Sequence, residues 1–360
     1  EKNKSWLEEY TLFMALKKHF NGKPWHEWDR DIKTRTFTAL KEYREKLSDE
    51  INYHRFLQFI FFKQWHELKS YANINNIKII GDIPIFVAYD SCDTWANPDI
   101  FYLDEERNPT KVAGVPPDYF SSTGQLWGNP LYNWEILKEQ DYKWWIKRLA
   151  ATIELVDMVR IDHFRGFAAY WAIPYGSKDA IHGKWEKGPG EDLFKVIKAE
   201  LGQIPIIAED LGFVTPDVEK LRDTFEFPGM KILQFGFDST EGSPYVPHLF
   251  PINCVAYTGT HDNETIVGWY EKAKAQDKDY VKEYLNTDGK DIAWDFIRLA
   301  LASTAIMVVI PLQDILSLGS DARMNIPGVA CGNWQWRYKK DQLNEDVKQK
   351  LTRLTGIYKR

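Results

Sequence analysis

The sequence is poor in cysteine. Its 360 residues include three, Cys92, Cys254 and Cys331, which lie far apart along the chain. An odd number of widely spaced cysteines excludes the disulfide framework of a small secreted protein, and no CxxC pair is present to hold a metal. We therefore expect a reducing compartment: the cytoplasm or, for a plant source, the plastid.

The sequence also lacks a long unbroken apolar run. The longest stretch, from Leu299 to Leu312, is interrupted by Ser303 and Thr304 and is shorter than the roughly 20 residues that cross a bilayer. It is typical of a buried helix that leads into a strand. No secretory leader is recognisable from Glu1 onward, and we expect no membrane partner.

An excess of positive charge is absent as well. The 46 Lys and Arg residues face 52 Asp and Glu residues, which gives a net charge of −6. A protein that binds nucleic acid through the phosphate backbone needs a basic face, so we expect no nucleic-acid partner. His163 and His261 each precede or follow an Asp, but HxH and HExxH patterns are missing, and we expect neither a metal nor an organic cofactor.

Aromatic residues, by contrast, are abundant. The 15 Trp, 18 Tyr and 20 Phe residues make up 15% of the chain, and apolar residues make up 44%. Flat aromatic faces suit ligand platforms, including platforms for sugar rings, but they also suit a bulky core with ordinary surface tryptophans. The length fits two or three domains, or one (β/α)₈ barrel of about 250 residues with insertions.

The hydrophobic pattern alternates between strand-like and helix-like segments. Short apolar runs typical of buried parallel strands are Ile77–Val87, Val156–Phe164, Ile204–Leu211, Lys231–Phe237, Cys254–Gly259 and Ala305–Leu312. Helical periodicity occurs at Trp6–Phe20, Ile51–Asn73, Tyr142–Leu155, Glu191–Leu201, Pro216–Phe225, Asp291–Ala302 and Val347–Gly356. This alternation predicts an α/β fold with a parallel sheet. The segment from Tyr89 to Gln140 shows little periodicity, and we interpret it as a long functional loop.

Several of these strands end in carboxylates. Asp162 and Glu209 lie near the carboxyl ends of their runs, and Asp262 comes shortly after Cys254–Gly259. Asp82 lies within the first run, directly after Gly81. In a parallel α/β barrel all strand carboxyl ends open on one face, so these groups should converge there. Crowded carboxylates separate in pKa, and an acid beside an ionised carboxylate is what glycoside chemistry needs.

Each acidic residue has a structural alternative. Asp162 could pair with Arg160 or Arg165, and Glu209 or Asp210 could cap the next helix. Asp262 could form a turn with Asn263, and Asp82 could be a strand-end turn residue. The joint pattern on successive strand ends favours function.

Several motifs together resemble a known family. Arg160-Ile-Asp-His-Phe-Arg-Gly166, Ala208-Glu-Asp-Leu-Gly212 and Gly259-Thr-His-Asp-Asn263 are similar to signatures of the 4-α-glucanotransferases of glycoside hydrolase family 77. Gly81-Asp-Ile-Pro-Ile-Phe-Val87, the loop from Val115 to Pro130 and the segments Arg323–Gly328 and Gly332–Arg337 resemble further motifs of that family. The matches extend from about Trp6 to Arg337.

The resemblance implies roles for individual residues. Asp162 is the nucleophile, Arg160 keeps it ionised, and Glu209 is the general acid/base. Asp262 and His261 bind the sugar at the cleavage point, and Asp82 supports that subsite.

In the same way, Tyr119 and Phe120 form the tip of a lid over the acceptor glucan. Asp118, Gln125 and Trp127 lie nearby. A packed Ω-loop is the alternative for this segment.

The resemblance also implies a TIM-type (β/α)₈ barrel with long inserted loops, of which about six of eight strands are recognisable. By the same resemblance, we expect the family's N-terminal part to be lacking. We expect residues 1–338 to form the catalytic portion with an inserted lid at 89–140, and residues 339–360 to form a C-terminal helix packed on it.

The expected activity is retaining transfer of an α-1,4-glucan segment. The donor is a maltooligosaccharide or a starch-like or glycogen-derived glucan, and the acceptor is the 4-hydroxyl of a glucan or glucose. Two alternatives stay open: an α-glucan hydrolase of the same clan, or a catalytically silent glucan-binding fragment.

Overall fold

The computed structural model describes residues 3–117, 121–212, 214–237, 243–329 and 331–360. The chain divides into two compact units, Glu1–Phe225 and Glu226–Arg360. Within the described residues, no helix is both long enough and apolar enough to traverse a lipid bilayer.

The first unit contains nine helices and seven strands among its described residues. Its helices are α1 (Lys4–His19), α2 (Arg30–Lys33), α3 (Phe37–Lys46), α4 (Ser48–Ile74), α5 (Cys92–Ala96), α6 (Trp134–Glu139), α7 (Lys143–Leu155), α8 (Glu191–Leu201) and α9 (Pro216–Thr224). Its strands are β1 (Ile80–Pro84), β2 (Lys111–Val115), β3 (Gln125–Pro130), β4 (Met158–Asp162), β5 (Ala169–Pro174), β6 (Lys184–Lys187) and β7 (Ile206–Ala208).

The parallel sheet of the first unit has the order β1-β4-β7. Asp82 is in register with Arg160, and Arg160 is in register with Ile207, so these residues lie side by side across the sheet. Gly81 allows this sheet to approach the end of α7 closely, because a Cβ at Gly81 would lie 2.7 Å from Cγ1 of Val156. The carboxyl ends of all three strands point the same way: Asp162 ends β4 and Glu209 follows β7, while Asp82 lies in the middle of β1.

A second sheet in this unit is antiparallel, with the order β3-β2-β5-β6. Gly124, directly before β3, adopts a left-handed conformation at φ +68°, and the absence of a side chain there avoids the carbonyl oxygen of Val115. Trp171 of β5 faces Trp185 of β6 across the sheet with ring centroids 5.2 Å apart. An edge strand of this sheet is β3, which carries the predicted site residues Gln125 and Trp127.

An aromatic core supports the N-terminal helices of the first unit. Phe13 of α1 contacts Trp28 and Trp95, and Trp25 and Trp95 are almost wholly buried. Arg35 lies 4.2 Å above the ring of Trp95 as a cation–π partner. Many of the abundant aromatics are thus ordinary core residues.

The second unit contains five helices and three strands among its described residues. These elements are β8 (Gly229–Ile232), β9 (Cys254–Tyr257), α10 (Ile266–Lys272), α11 (Ala275–Leu285), α12 (Ile292–Ala302), β10 (Met307–Val309), α13 (Leu312–Ile315) and α14 (Glu345–Tyr358). Its strands form a parallel sheet in the order β10-β9-β8. The C-terminal helix α14 packs through Leu354 against Trp294, Ile297 and Leu301 of α12.

Five of the six apolar runs contain a strand that is shorter than the run, and the sixth overlaps a strand in part. The run Lys231–Phe237, for example, overlaps β8 only at its start and continues as a 3₁₀ turn at Leu233–Gly236. Leu299–Leu312 contains the end of α12 and β10, as predicted. The interpretation of Tyr89–Gln140 as an irregular loop is wrong in part, because α5, β2, β3 and α6 lie within it.

Candidate active site

Arg160 links two carboxylates at the centre of the first unit's parallel sheet. Its Nη1 atom donates to both carboxylate oxygens of Asp82 at 2.7 Å, and Nη2 lies 2.8 Å from Oδ1 of Asp162. The guanidinium is buried, whereas the two carboxylates are half exposed. The structural alternative that Asp162 pairs with Arg160 is therefore confirmed. The pair leaves part of the Asp162 carboxylate accessible to a ligand.

The electrostatics of this cluster favour ionised Asp162. Burial by itself lowers the pKa of Arg160, but the charges of Asp82 and Asp162 outweigh burial and raise that pKa above its ordinary value. A permanently charged guanidinium at 2.8 Å stabilises the carboxylate form of Asp162. Asp82 meanwhile lies within β1 and is not a turn residue.

Glu209 follows β7 directly and is held by two backbone donors. The N–H of His163 donates to Oε2 at 2.7 Å, and the N–H of Leu211 donates to Oε1 at 3.0 Å. Burial raises the pKa of Glu209 to about 7, and the negative charge of Asp162 adds to this effect. Arg160 and the two N–H groups act in the opposite direction. Glu209 is thus an acid that can both give and take a proton near neutral pH.

The two carboxyl groups therefore lie in different environments. Asp162 is stabilised as an anion by Arg160, while Glu209 is shifted toward its neutral form. Unlike environments of this kind allow one carboxyl group to act as an acid/base and the other as a nucleophile. This pair can attack a carbon centre and protonate a leaving oxygen.

His163 is a residue whose positional role the sequence did not reveal. It adopts a left-handed conformation at φ +54°, which His tolerates better than most residues. This turn directs its N–H toward Glu209. Burial lowers the pKa of the imidazole to about 3, and the neutral ring packs against Trp127 with centroids 4.7 Å apart.

The structure describes two of the five predicted lid residues, Gln125 and Trp127. Gln125 and Trp127 lie on β3, and the indole N–H of Trp127 donates to Oε1 of Gln125 at 3.1 Å. The ring of Trp127 contacts that of His163, which directly follows Asp162 in the sequence. Asp118, Tyr119 and Phe120 lie outside the described residues, and their lid role stays a prediction.

Asp210 has a structural partner. It is buried and forms an ion pair with Arg222 of α9. The residue before α9 is Thr215, and neither Glu209 nor Asp210 caps that helix. The capping alternative for these two acidic residues is therefore wrong.

Asp262 and His261 belong to the second unit, in the turn after β9. Nδ2 of Asn325 donates to Oδ1 of Asp262 at 2.6 Å, and Nη2 of Arg323 donates to the carbonyl oxygen of Asp262 at the same distance. Nε2 of His261 lies 3.5 Å from Oδ2 of Asp262. Asn263 also forms the turn that the sequence suggested, since its side chain accepts from the N–H of Thr260. The turn suggested for Asp262 and Asn263 is therefore present, and it fixes the position of Asp262.

Asp314 anchors both ends of this turn and was missed by sequence reasoning. Its carboxylate accepts from the hydroxyl of Thr258 at 2.6 Å and from the N–H of Ile266 at 2.8 Å. Burial raises the pKa of Asp314 to about 6. The segment from Thr258 to Ile266, which carries Asp262, is therefore held to α13 by one side chain.

We expect Asp314→Ala to lower the free energy of unfolding by roughly 2–4 kcal/mol, because two buried donors lose their acceptor. Asp314→Asn should cost much less, since the amide oxygen can still accept from Ile266 and the Thr258 hydroxyl can turn to accept from the amide nitrogen. Chemical unfolding checks both values, with the exposed Asp321→Ala as the matched control. Equal losses in the Ala and Asn variants would contradict the anchoring role.

In the part of the chain that the structure describes, no group of three His, Cys, Asp or Glu side chains is arranged to hold a metal ion. The three cysteines are unpaired with one another.

Comparison with known proteins gives consistent matches. Residues 1–343 match the model of glycoside hydrolase family 77, described as 4-alpha-glucanotransferase. A 4-alpha-glucanotransferase of Synechocystis is 53% identical over 99% of this chain and 71% of that protein. A 4-alpha-glucanotransferase of Thermus thermophilus is 49% identical over 96% of this chain and 71% of that protein. The structure of an amylomaltase from Streptococcus agalactiae in complex with acarbose matches with a TM-score of 0.97 and 44% identity, over 100% of this chain and 73% of that one.

Proposed function

Because the chain belongs to glycoside hydrolase family 77, the 4-alpha-glucanotransferases, we propose that it transfers α-1,4-glucan segments between maltooligosaccharides by double displacement. The observation that carries this proposal is the pair of unlike carboxyl groups in the first unit. Asp162 is stabilised as an anion by Arg160, and Glu209 has its pKa raised to about 7.

In the first step, Asp162 attacks the anomeric carbon of the donor. The bond between that carbon and the glycosidic oxygen breaks as the bond to Oδ of Asp162 forms, and Glu209 gives its proton to the departing oxygen. In the second step, Glu209 takes the proton from the 4-hydroxyl of the acceptor, which attacks the same carbon and releases Asp162. Two inversions retain the α configuration, and we expect the two carboxyl groups to lie about 5–5.5 Å apart.

Transfer outcompetes hydrolysis only where water is kept from the covalent intermediate. We assign this task, together with acceptor binding, to the segment from Val115 to Pro130. Its residues Gln125 and Trp127 lie on β3 beside His163. Asp118, Tyr119 and Phe120 complete the proposed acceptor platform, as the family resemblance implies.

The remaining roles follow the same resemblance. Asp262 and His261 hydrogen-bond the sugar at the cleavage point, and Asp82 supports that subsite through Arg160. The half-exposed carboxylates of Asp82 and Asp262 support these assignments, since each keeps oxygen surface for a ligand. The substrates are α-1,4-glucans with glucose as an acceptor, and acarbose, which is bound in the Streptococcus agalactiae amylomaltase, is a suitable probe.

We further propose the TIM-type (β/α)₈ fold, with β1, β4, β7, β8, β9 and β10 as six of its eight strands. Support comes from the parallel pairing of strands that follow one another as apolar runs along the chain. Residues 89–140 form the inserted lid within the catalytic portion 1–338. The packing of α14 on α12 supports a C-terminal helix at 339–360 that covers this portion.

The activity is tested by incubating the protein with maltotriose and resolving the products by oligosaccharide chromatography, with a glucose assay alongside. Glucose together with chains longer than maltotriose is the expected result. Maltose and glucose alone would identify a hydrolase. No turnover, combined with retained acarbose binding, would identify a silent glucan-binding protein.

A further inference from the structure

Trp334 combines two costly features that ordinary packing does not explain. Its backbone lies in the left-handed region at φ +64°, which is a strained conformation for a bulky residue. Its side chain is 54% exposed, whereas Trp25, Trp95 and Trp145 are exposed by 1% or less. Strain of this kind persists where surrounding contacts enforce it, and it clusters at functional sites.

The surrounding contacts do enforce this conformation. The N–H of Trp334 donates to the carbonyl oxygen of Met324 at 2.8 Å, and its own carbonyl accepts from Nη1 of Arg337 at 3.0 Å. The side chain of the preceding Asn333 accepts from the N–H of Ile326 at 3.0 Å and donates to the carbonyl oxygen of Val329 at 2.9 Å. The strained residue is therefore fixed in place by a tied loop.

The ring is fixed beside groups already assigned to sugar binding. Its centroid lies 5.1 Å from that of His261, with the two planes tilted by 39°. Nε2 of His261 in turn lies 3.5 Å from Oδ2 of Asp262. The loop that holds Trp334 is the one whose Asn325 donates to Asp262. An exposed aromatic surface and hydrogen-bonding groups thus adjoin each other within the second unit.

This combination matches the chemistry of a pyranose ring, which presents C–H groups on its faces and hydroxyls around its edge. An aromatic ring offers a flat apolar partner to such a face, and fixing that ring in advance removes the entropy cost of ordering it on binding. We propose that Trp334 is a stacking platform for a glucosyl unit of the bound glucan, next to the unit that Asp262 and His261 hydrogen-bond. The proposal rests on the glucan-transfer function proposed above.

Three variants separate this role from a structural one. Trp334→Phe keeps an aromatic face, and Trp334→Asn removes it while accepting the left-handed conformation more readily. Tyr338→Ala is the matched control, because Tyr338 is an aromatic residue of the same segment and is 49% exposed. The measurements are the dissociation constant for acarbose by isothermal titration calorimetry, the KM and kcat for maltotriose, and the melting temperature.

We expect Trp334→Asn to weaken acarbose binding at least fivefold and to raise KM by a similar factor, with an unchanged or higher melting temperature. Trp334→Phe should stay within about twofold of the parent, as should Tyr338→Ala. Acarbose binding by Trp334→Asn within twofold of the parent overturns the platform. A lower melting temperature with equal losses of acarbose affinity in the Asn and Phe variants also overturns it, because that result shows that Trp334 only supports His261 structurally.

Assays of the parent protein test the proposed transfer function independently of the Trp334 variants. A parent that binds acarbose but makes no longer chains from maltotriose refutes transfer, while the comparison of acarbose affinities still decides on Trp334. A parent that binds no acarbose overturns the platform as well.

Discussion

Asp162→Asn is expected to abolish glucan transfer, lowering kcat by roughly four orders of magnitude or more, while acarbose binding persists. The amide of Asn is a poor nucleophile, so the covalent step loses its attacking group, and loss of a nucleophile typically costs this much. The fold should tolerate the change because the side chain is half exposed and its amide oxygen can still accept from Arg160. Product formation from maltotriose and acarbose calorimetry measure the two halves of the prediction.

The control for Asp162→Asn is Asp141→Asn, since it makes the same chemical change in an exposed side chain that has no assigned role in the site. It should retain full activity. An Asp162→Asn protein with activity within tenfold of the parent would falsify the nucleophile assignment. Loss of acarbose binding in this variant would instead show that the substitution disturbs the site as a whole.

Glu209→Gln is expected to lower kcat/KM about 10²–10⁴-fold, the usual contribution of a general acid/base. In the parent, kcat/KM should fall as the pH rises through about 7, because Glu209 must be protonated to assist leaving-group departure and burial raises its pKa to about 7. In Glu209→Gln this alkaline limb should disappear, since the amide does not titrate. Initial rates measured between pH 5 and 9 test both statements.

A donor with an activated leaving group sharpens this test. Departure of fluoride from α-maltosyl fluoride needs no strong proton donor, so the first displacement should be largely restored in Glu209→Gln but not in Asp162→Asn. Release of fluoride is the readout. Equal fluoride release by the two variants would remove the distinction between acid/base and nucleophile.

Much of the first unit's site is local in sequence, and this is why it could be predicted. Arg160 and Asp162 are two residues apart on one strand, so their side chains project on the same face of β4. The register that places Asp82 beside Arg160 is a result of strand pairing in the structure. Glu209 is likewise fixed by its position after β7. Their environments, however, depend on backbone donors: the N–H of His163 points to Glu209 only because His163 turns into the left-handed region, which no side-chain pattern reveals.

The contributions that were missed come from residues distant in sequence. Asp314 and Asn325 reach the turn of Asp262 across intervals of about 50–60 residues, through hydrogen bonds whose partners cannot be identified from one sequence. The antiparallel sheet escaped notice because its strands lack clear alternation. Lys184–Lys187 is mostly charged, and Gln125–Pro130 contains a glycine and ends in proline, so neither segment resembles a buried strand. Tertiary pairing, rather than local propensity, makes them strands.

The single guanidinium shared by Asp82 and Asp162 has a pharmacological consequence. Asp82 and Asp162 both pair with Arg160 and both stay half exposed, so the cluster presents carboxylate oxygens to a bound ligand. Such a cluster discriminates among sugar mimics by their charge. A compound with a basic ring or linking nitrogen should gain affinity over a neutral oligosaccharide of equal length, and the gain should shrink in concentrated salt and wherever the nitrogen loses its proton. The ammonium form of such an inhibitor would thereby imitate the positive charge that the sugar ring carries in the transition state.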